Sequence, residues 1–193
     1  MAGFSYTRYM SKDFSATRLD VRAFAQAGGH LEGEAPLSAF KRLAADALAV
    51  EGEQFMVRWE ADGELVEQTG GNGHVWLHVS AEVELPMTCQ RCLTEAHIPL
   101  YVNRSFRFVA DEATAELEDD DSDEDLLALS REFDLLALIE DELLMDVPVV
   151  PRHEECPVPV KLESSDADFE QANEQKENPF AVLQSFNVGK SAD

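Results

Sequence analysis

The sequence has no run of about 18 or more apolar residues, which excludes a transmembrane helix. Its opening stretch, MAGFSYTRYMSKDFSATRLD, lacks the long apolar segment of a secretory signal, so the chain reads as cytoplasmic. Structural disulfides are rare in that compartment, and cysteine pairs there point to metal or redox chemistry instead. No GxxxxGK[ST], GxGxxG or GxSxG occurs, so a phosphate loop, a dinucleotide turn and a nucleophile elbow have no residues to rest on. No acid–base pair stands out either. The expectation is a protein that is not an enzyme, with no catalytic residue to name. There is no internal repeat.

Positive charge is the other shortage. Fifteen Lys and Arg face 39 Asp and Glu, for a net charge of -24. The deficit is uneven. Residues 1–50 are nearly balanced, with six basic and five acidic side chains, whereas residues 111–146 hold one against sixteen. Nucleic-acid binding draws most of its affinity from Lys and Arg neutralising phosphates. Such a chain suits a basic protein partner better than RNA. Solubility alone is the plainer explanation of the charge. A local basic face remains open as an alternative, because Arg18, Arg22, Lys41 and Arg42 fall in the balanced first quarter.

What is present is a 45% hydrophobic chain, enough for a core. Asp20 to Ala27 has room for one or two helical turns, and HLEGEAPL reads as extended. Phe40, Leu43, Ala44, Ala47 and Leu48 recur at helical spacing after Ser38, with Leu37 as a staple. Residues 53–67 alternate loosely, and Asp62-Gly63 predicts a hairpin turn within them. Residues 74–85 alternate cleanly, with Val75, Leu77, Val79, Ala81, Val83 and Leu85 on one face. Residues 96–109 form another strand. Residues 111–125 are nearly all acidic or small and predict a mobile loop. Leu135, Leu136, Leu138, Ile139, Leu143 and Leu144 then make a helical stripe, capped by Asp134 and stopped by Pro148. These elements predict an α+β fold with an antiparallel sheet, barrel-like if it closes, packed with a few helices. Domain organisation follows: residues 1–162 as one α+β domain, and 163–193 as a disordered tail carrying the short apolar motif NPFAVLQSF.

The chemistry-bearing residues are Cys89 and Cys92 in PMTCQRCLTEA, and His153 and Cys156 in RHEECP. CxxC brings two sulfurs to one metal at a turn. HxxC adds an imidazole and a third sulfur, completing the four soft ligands of tetrahedral structural zinc. Sixty residues separate the halves, so the fold must assemble them. A cluster of reduced thiols without metal is the competing reading, and redox work a third, although no Trp precedes the first cysteine. His74, His78 and His97 read as satisfied strand histidines. The acidic run lacks the glycine and terminal Glu spacing of an EF-hand.

Three motifs in one order, LPMTCQRCLTEA, FDLLALIEDELLMDVPVVPRHEECP and NPFAVLQSF, make the chain from about Leu19 onward resemble the YceD family. These are the large-ribosomal-RNA-subunit accumulation proteins of bacteria and plastids, and the likeness is to the proteobacterial branch. The helix motif and NPFAVL weigh most. The resemblance implies a non-enzymatic role in ribosome biogenesis, in making or accumulating large-subunit ribosomal RNA. The family's gene commonly neighbours that of a small, basic large-subunit ribosomal protein, so the implied partner is such a protein or a pre-ribosomal particle. Asp134, Glu140, Asp141 and Glu142 of the helix motif, with Asn178, Pro179, Phe180 and Leu183 of the C-terminal motif, are then the partner-binding candidates. Branches of the family differ in their cysteines, which implies that any zinc is stabilising rather than essential.

Overall fold

The computed structural model describes residues 14–160, apart from 51, 53, 68–72, 120, 121 and 123. The chain divides into two units, 1–156 and 157–193. Of the second, only 157–160 are described, so the tail and its NPFAVLQSF motif lie outside the described residues.

The first helix, α1 (Val21–Gln26), starts where Asp20 accepts a hydrogen bond from the Ala23 N–H at 3.0 Å, and it runs out toward Gly28, which sits at φ +55°. Such a cap is worth about 1 kcal/mol. The chain then forms β1 (His30–Pro36), a 3₁₀ turn at Leu37–Ala39, and α2 (Lys41–Asp46). Thus the helix expected from Ser38 is shorter than its apolar spacing implied. Phe40 and Leu43 are buried, while Leu48 lies past its end and donates its N–H to the Pro86 carbonyl at 2.7 Å.

Next come β2 (Met56–Val66), β3 (His74–Thr88) and β4 (Glu95–Val109), then α3 (Glu112–Asp119), β5 (Asp125–Ala128) and α4 (Leu135–Asp146). The sheet order is β1-β2-β3-β4-β5. The first three pairings are antiparallel and β4–β5 is parallel. The fold is therefore α+β as expected, but the sheet is mixed and open, neither purely antiparallel nor a barrel.

Two local corrections explain why. A parallel neighbour needs a crossover connection, usually a helix. The segment 111–125, expected to be a loop, supplies one. Asp111 caps α3 by accepting from the Thr114 N–H at 2.9 Å, and Arg107 of β4 reaches Glu118 on α3 at 3.0 Å and Glu124 at 2.9 Å. Second, Asp62-Gly63 is no turn. It lies inside β2, paired with His78 and Leu77. A Cβ at Gly63 would sit 2.6 Å from the Phe24 ring and 3.0 Å from the Ala25 backbone. The glycine is there to let α1 approach the strand.

The core lies on one side of the sheet. The six predicted β3 residues are buried there with Ile98, Leu100, Val102, Phe106 and Phe108 of β4, under Phe24 of α1 and Leu135, Ile139 and Leu143 of α4. The other side of β1–β4 carries polar side chains and stays open along most of its length.

Candidate metal centre

Cys89 and Cys92 occupy the connection between β3 and β4, closed by the Thr88–Glu95 pair. Inside it the Cys89 N–H donates to the Thr94 carbonyl at 2.9 Å, and the Leu93 N–H donates to the Cys89 carbonyl at 2.9 Å. Leu93 is held at φ +60°, a left-handed conformation that a leucine rarely adopts. The turn thereby points both thiols to one side.

The second half-site comes from the chain after α4. Pro148 ends that helix, and the Pro151 carbonyl accepts the Gln90 N–H at 2.8 Å, which docks the returning segment on the CxxC turn. His153 and Cys156 follow. The four ligand atoms of Cys89, Cys92, His153 and Cys156 all lie within 4.8 Å of one another. The sulfurs of Cys89 and Cys156 are 3.9 Å apart, and Cys92 Sγ is 3.4 Å from His153 Nδ1. Around a tetrahedral zinc, sulfur–sulfur and sulfur–nitrogen edges come to ~3.8 and ~3.5 Å. The donor set and its spacing therefore fit a metal ion of the zinc type. All three cysteines are free thiols; a disulfide would need sulfurs at ~2.05 Å.

The electrostatics favour thiolate, the species that binds metal, at Cys89 and Cys92. Burial pushes the Cys89 thiol up, but contacts from the backbones of Cys92, His153 and Arg91 outweigh it and bring it down to about 5. The Thr94 hydroxyl, 3.2 Å from Cys92 Sγ, is the main cause of a lowered Cys92. His153 is raised, chiefly by its contact with Cys89. Burial raises Cys156, against the pull of Arg91.

Arg91 is the residue that sequence reasoning missed. It donates Nε to Cys156 Sγ at 3.0 Å and Nη2 to the carbonyls of His153 and Glu154, both at 3.1 Å. The only signal in the sequence was a cation inside the CxxC spacer of an acidic chain.

The other predicted site residues are engaged elsewhere. Asp134 caps α4 through the Ala137 N–H at 3.1 Å. Glu140 and Asp141 both hold Arg42, and Glu142 lies 3.6 Å from Arg104. Arg18 pairs with Glu132. Arg42 of the RNA-binding candidates thus meets Glu140 and Asp141 of the partner-binding ones, and with Arg18 two of the four basic residues are already neutralised. Arg22 lines a shallow pocket with Asp20 and Arg131, and Lys41 opens α2. Asn178, Pro179, Phe180 and Leu183 lie outside the described residues. Among the histidines, His78 sits between Ser105 Oγ at 2.8 Å and Glu64 Oε2 at 3.1 Å. These exposed side chains come from three adjacent strands and act as cross-strand links. His97 lies 3.0 Å from Glu95. No helix among the described residues is long and apolar enough to cross a membrane.

The chain matches the family described as Large ribosomal RNA subunit accumulation protein YceD over residues 77–187, more than half its length. The match takes in the CxxC turn, α4 and the HxxC segment. No solved structure matches the chain.

Proposed function

The chain belongs to the YceD family, and from that premise we propose that it is a non-enzymatic factor of ribosome biogenesis. In this reading it supports the synthesis, processing or accumulation of large-subunit ribosomal RNA by holding a basic component of the large subunit. The family name supplies the first part, a role in large-subunit ribosomal RNA accumulation. The partner chemistry comes from charge and shape.

One observation carries the partner reading: the open side of the sheet is a trough of about 570 Å³ whose walls include Glu32, Glu34, Glu60 and Glu82. Arg58 stands between them, 3.5 Å from Glu34 and 3.2 Å from Glu82. Carboxylates outnumber guanidinium there, so the trough keeps a negative potential that repels phosphates and attracts Lys- and Arg-rich polypeptide. Tyr101, 61% exposed, stands on the rim and offers a face to a cation. The candidates on α4 serve this reading less well, because their carboxylates are matched within the chain.

One structural zinc completes the reading. Cys89, Cys92, His153 and Cys156 would hold it, and it would supply a cross-link between the β3–β4 connection and the segment after α4 rather than any reaction.

Deleting the gene and measuring the ratio of large- to small-subunit ribosomal RNA tests the function. The ratio should fall, and a Glu60→Gln, Glu82→Gln variant that folds normally should fail to restore it. An unchanged ratio after deletion overturns the function. Full restoration by the double variant overturns the trough.

A further inference from the structure

A metal centre made of two half-sites sixty residues apart binds its ion more tightly when the second half is held in place before the ion arrives. Each donor must also be oriented by something outside the donor set. The hairpin does this for Cys89 and Cys92 through its own ladder and turn. His153 and Cys156 have no such frame, because they sit on an irregular segment past α4.

The geometry assigns that task to Arg91, as the positioning residue of the centre. Its guanidinium is planar and presents several N–H groups in fixed directions. Here one edge addresses the Cys156 sulfur and another addresses two successive carbonyls, those of His153 and Glu154. One side chain thus fixes both the backbone that carries the imidazole and the sulfur that ends the site. It does so from within the CxxC spacer, so one side chain adds to the Gln90–Pro151 backbone bond and registers both donors of the second half to the first.

Charge gives a second reason. Three thiolates and a neutral imidazole around a dication leave one net negative charge at the centre. Arg91 cancels it from hydrogen-bonding distance, and its N–H withdraws electron density from the Cys156 sulfur. A lysine at this position would restore the charge but not the fork. The inference rests on the proposed zinc site, and the two fail differently.

The test uses the full chain, purified reduced, with zinc affinity measured by competition against a chromophoric chelator. Cobalt is substituted in parallel to read the thiolate-to-metal absorption. Arg91 is exposed, so Arg91→Ala should fold; circular dichroism checks it. Arg91→Ala should weaken zinc binding about 10- to 100-fold, the usual cost of removing an outer partner of a ligand. It should also shift the cobalt–thiolate band, because Cys156 loses its donor. Arg91→Lys should recover only part of the affinity. Wild-type affinity and an unshifted band in Arg91→Ala would overturn the positioning role while leaving the zinc site standing. Full recovery by lysine would reduce Arg91 to a point charge and overturn it as well. A wild-type chain that binds neither metal would overturn the site and the inference together.

Discussion

Leu93 and Glu140 show how single residues set the balance. A leucine held at φ +60° costs about 1–2 kcal/mol relative to glycine, and Leu93 is 74% exposed, so its side chain returns little by burial. Leu93→Gly should therefore raise stability by up to ~1 kcal/mol after the added freedom of the unfolded chain is subtracted. Denaturant titration of the two proteins reads this directly, and a clear loss of stability would mean that Leu93 makes contacts the turn depends on. Glu140 is a case of pH dependence. Burial pushes its carboxyl up, but the Arg42 side chain and the Arg42 and Leu43 N–H groups together hold it below its ordinary value of 4.5. A carboxylate lowered in the folded state stabilises at pH above its unfolded value and loses that contribution as pH falls through its folded value. Hence Glu140→Gln should melt lower than wild type at pH 7, and the gap should shrink as pH falls below 4.5 and through the lowered value of the folded carboxyl. A gap that stays constant from pH 7 to pH 3 would show that the ion pair is not the source.

At the scale of elements, Gly63 is where sequence and structure part most sharply. Asp-Gly in a strand-like stretch is a strong hairpin signal, and nothing in the local sequence distinguishes it from a glycine that admits a neighbouring helix. Phe24 lies between two such glycines, since a Cβ at Gly29 would come within 2.3 Å of its ring. Gly63→Ala should destabilise by roughly 1–3 kcal/mol through overpacking. The companion change Phe24→Leu should make that substitution cheaper in a double-mutant cycle, whereas strict additivity would show that ring and glycine do not meet. The β3 face was legible because it alternates without a break, and α4 because a cap, a stripe and a proline agree. The crossover was not: half of the residues of α3 are acidic and it carries no apolar stripe, and β5 is four residues long, too short for periodicity to show. The CxxC and HxxC halves were legible as residue types at metal-ligand spacing. What joins them was not, because the register between a hairpin and a segment sixty residues later is set by how α4 packs on the sheet.

For the whole molecule, the same packing has a larger consequence. Without an ion, the segment after α4 is fixed to the hairpin by the Gln90–Pro151 bond and by Arg91. With one, four ligands close a loop that spans β4, α3, β5 and α4, and metal binding becomes folding free energy, on the order of several kcal/mol or more. The net charge of -24 works in the opposite direction, since self-repulsion loosens a compact acidic chain. A cross-link that ties α4 and its following segment to the sheet is therefore worth most in such a protein. Under the proposed function, the acidic trough and the clamp are two parts of one design: a sheet whose open side is lined by carboxylates, locked at the end where its two longest strands turn. Elemental analysis of protein purified under reducing conditions without chelator measures this most directly. One zinc per chain, whose removal lowers the melting temperature and whose binding is lost in Cys156→Ala, is the predicted result; no metal, with three free thiols and the same melting temperature with or without chelator, would contradict it.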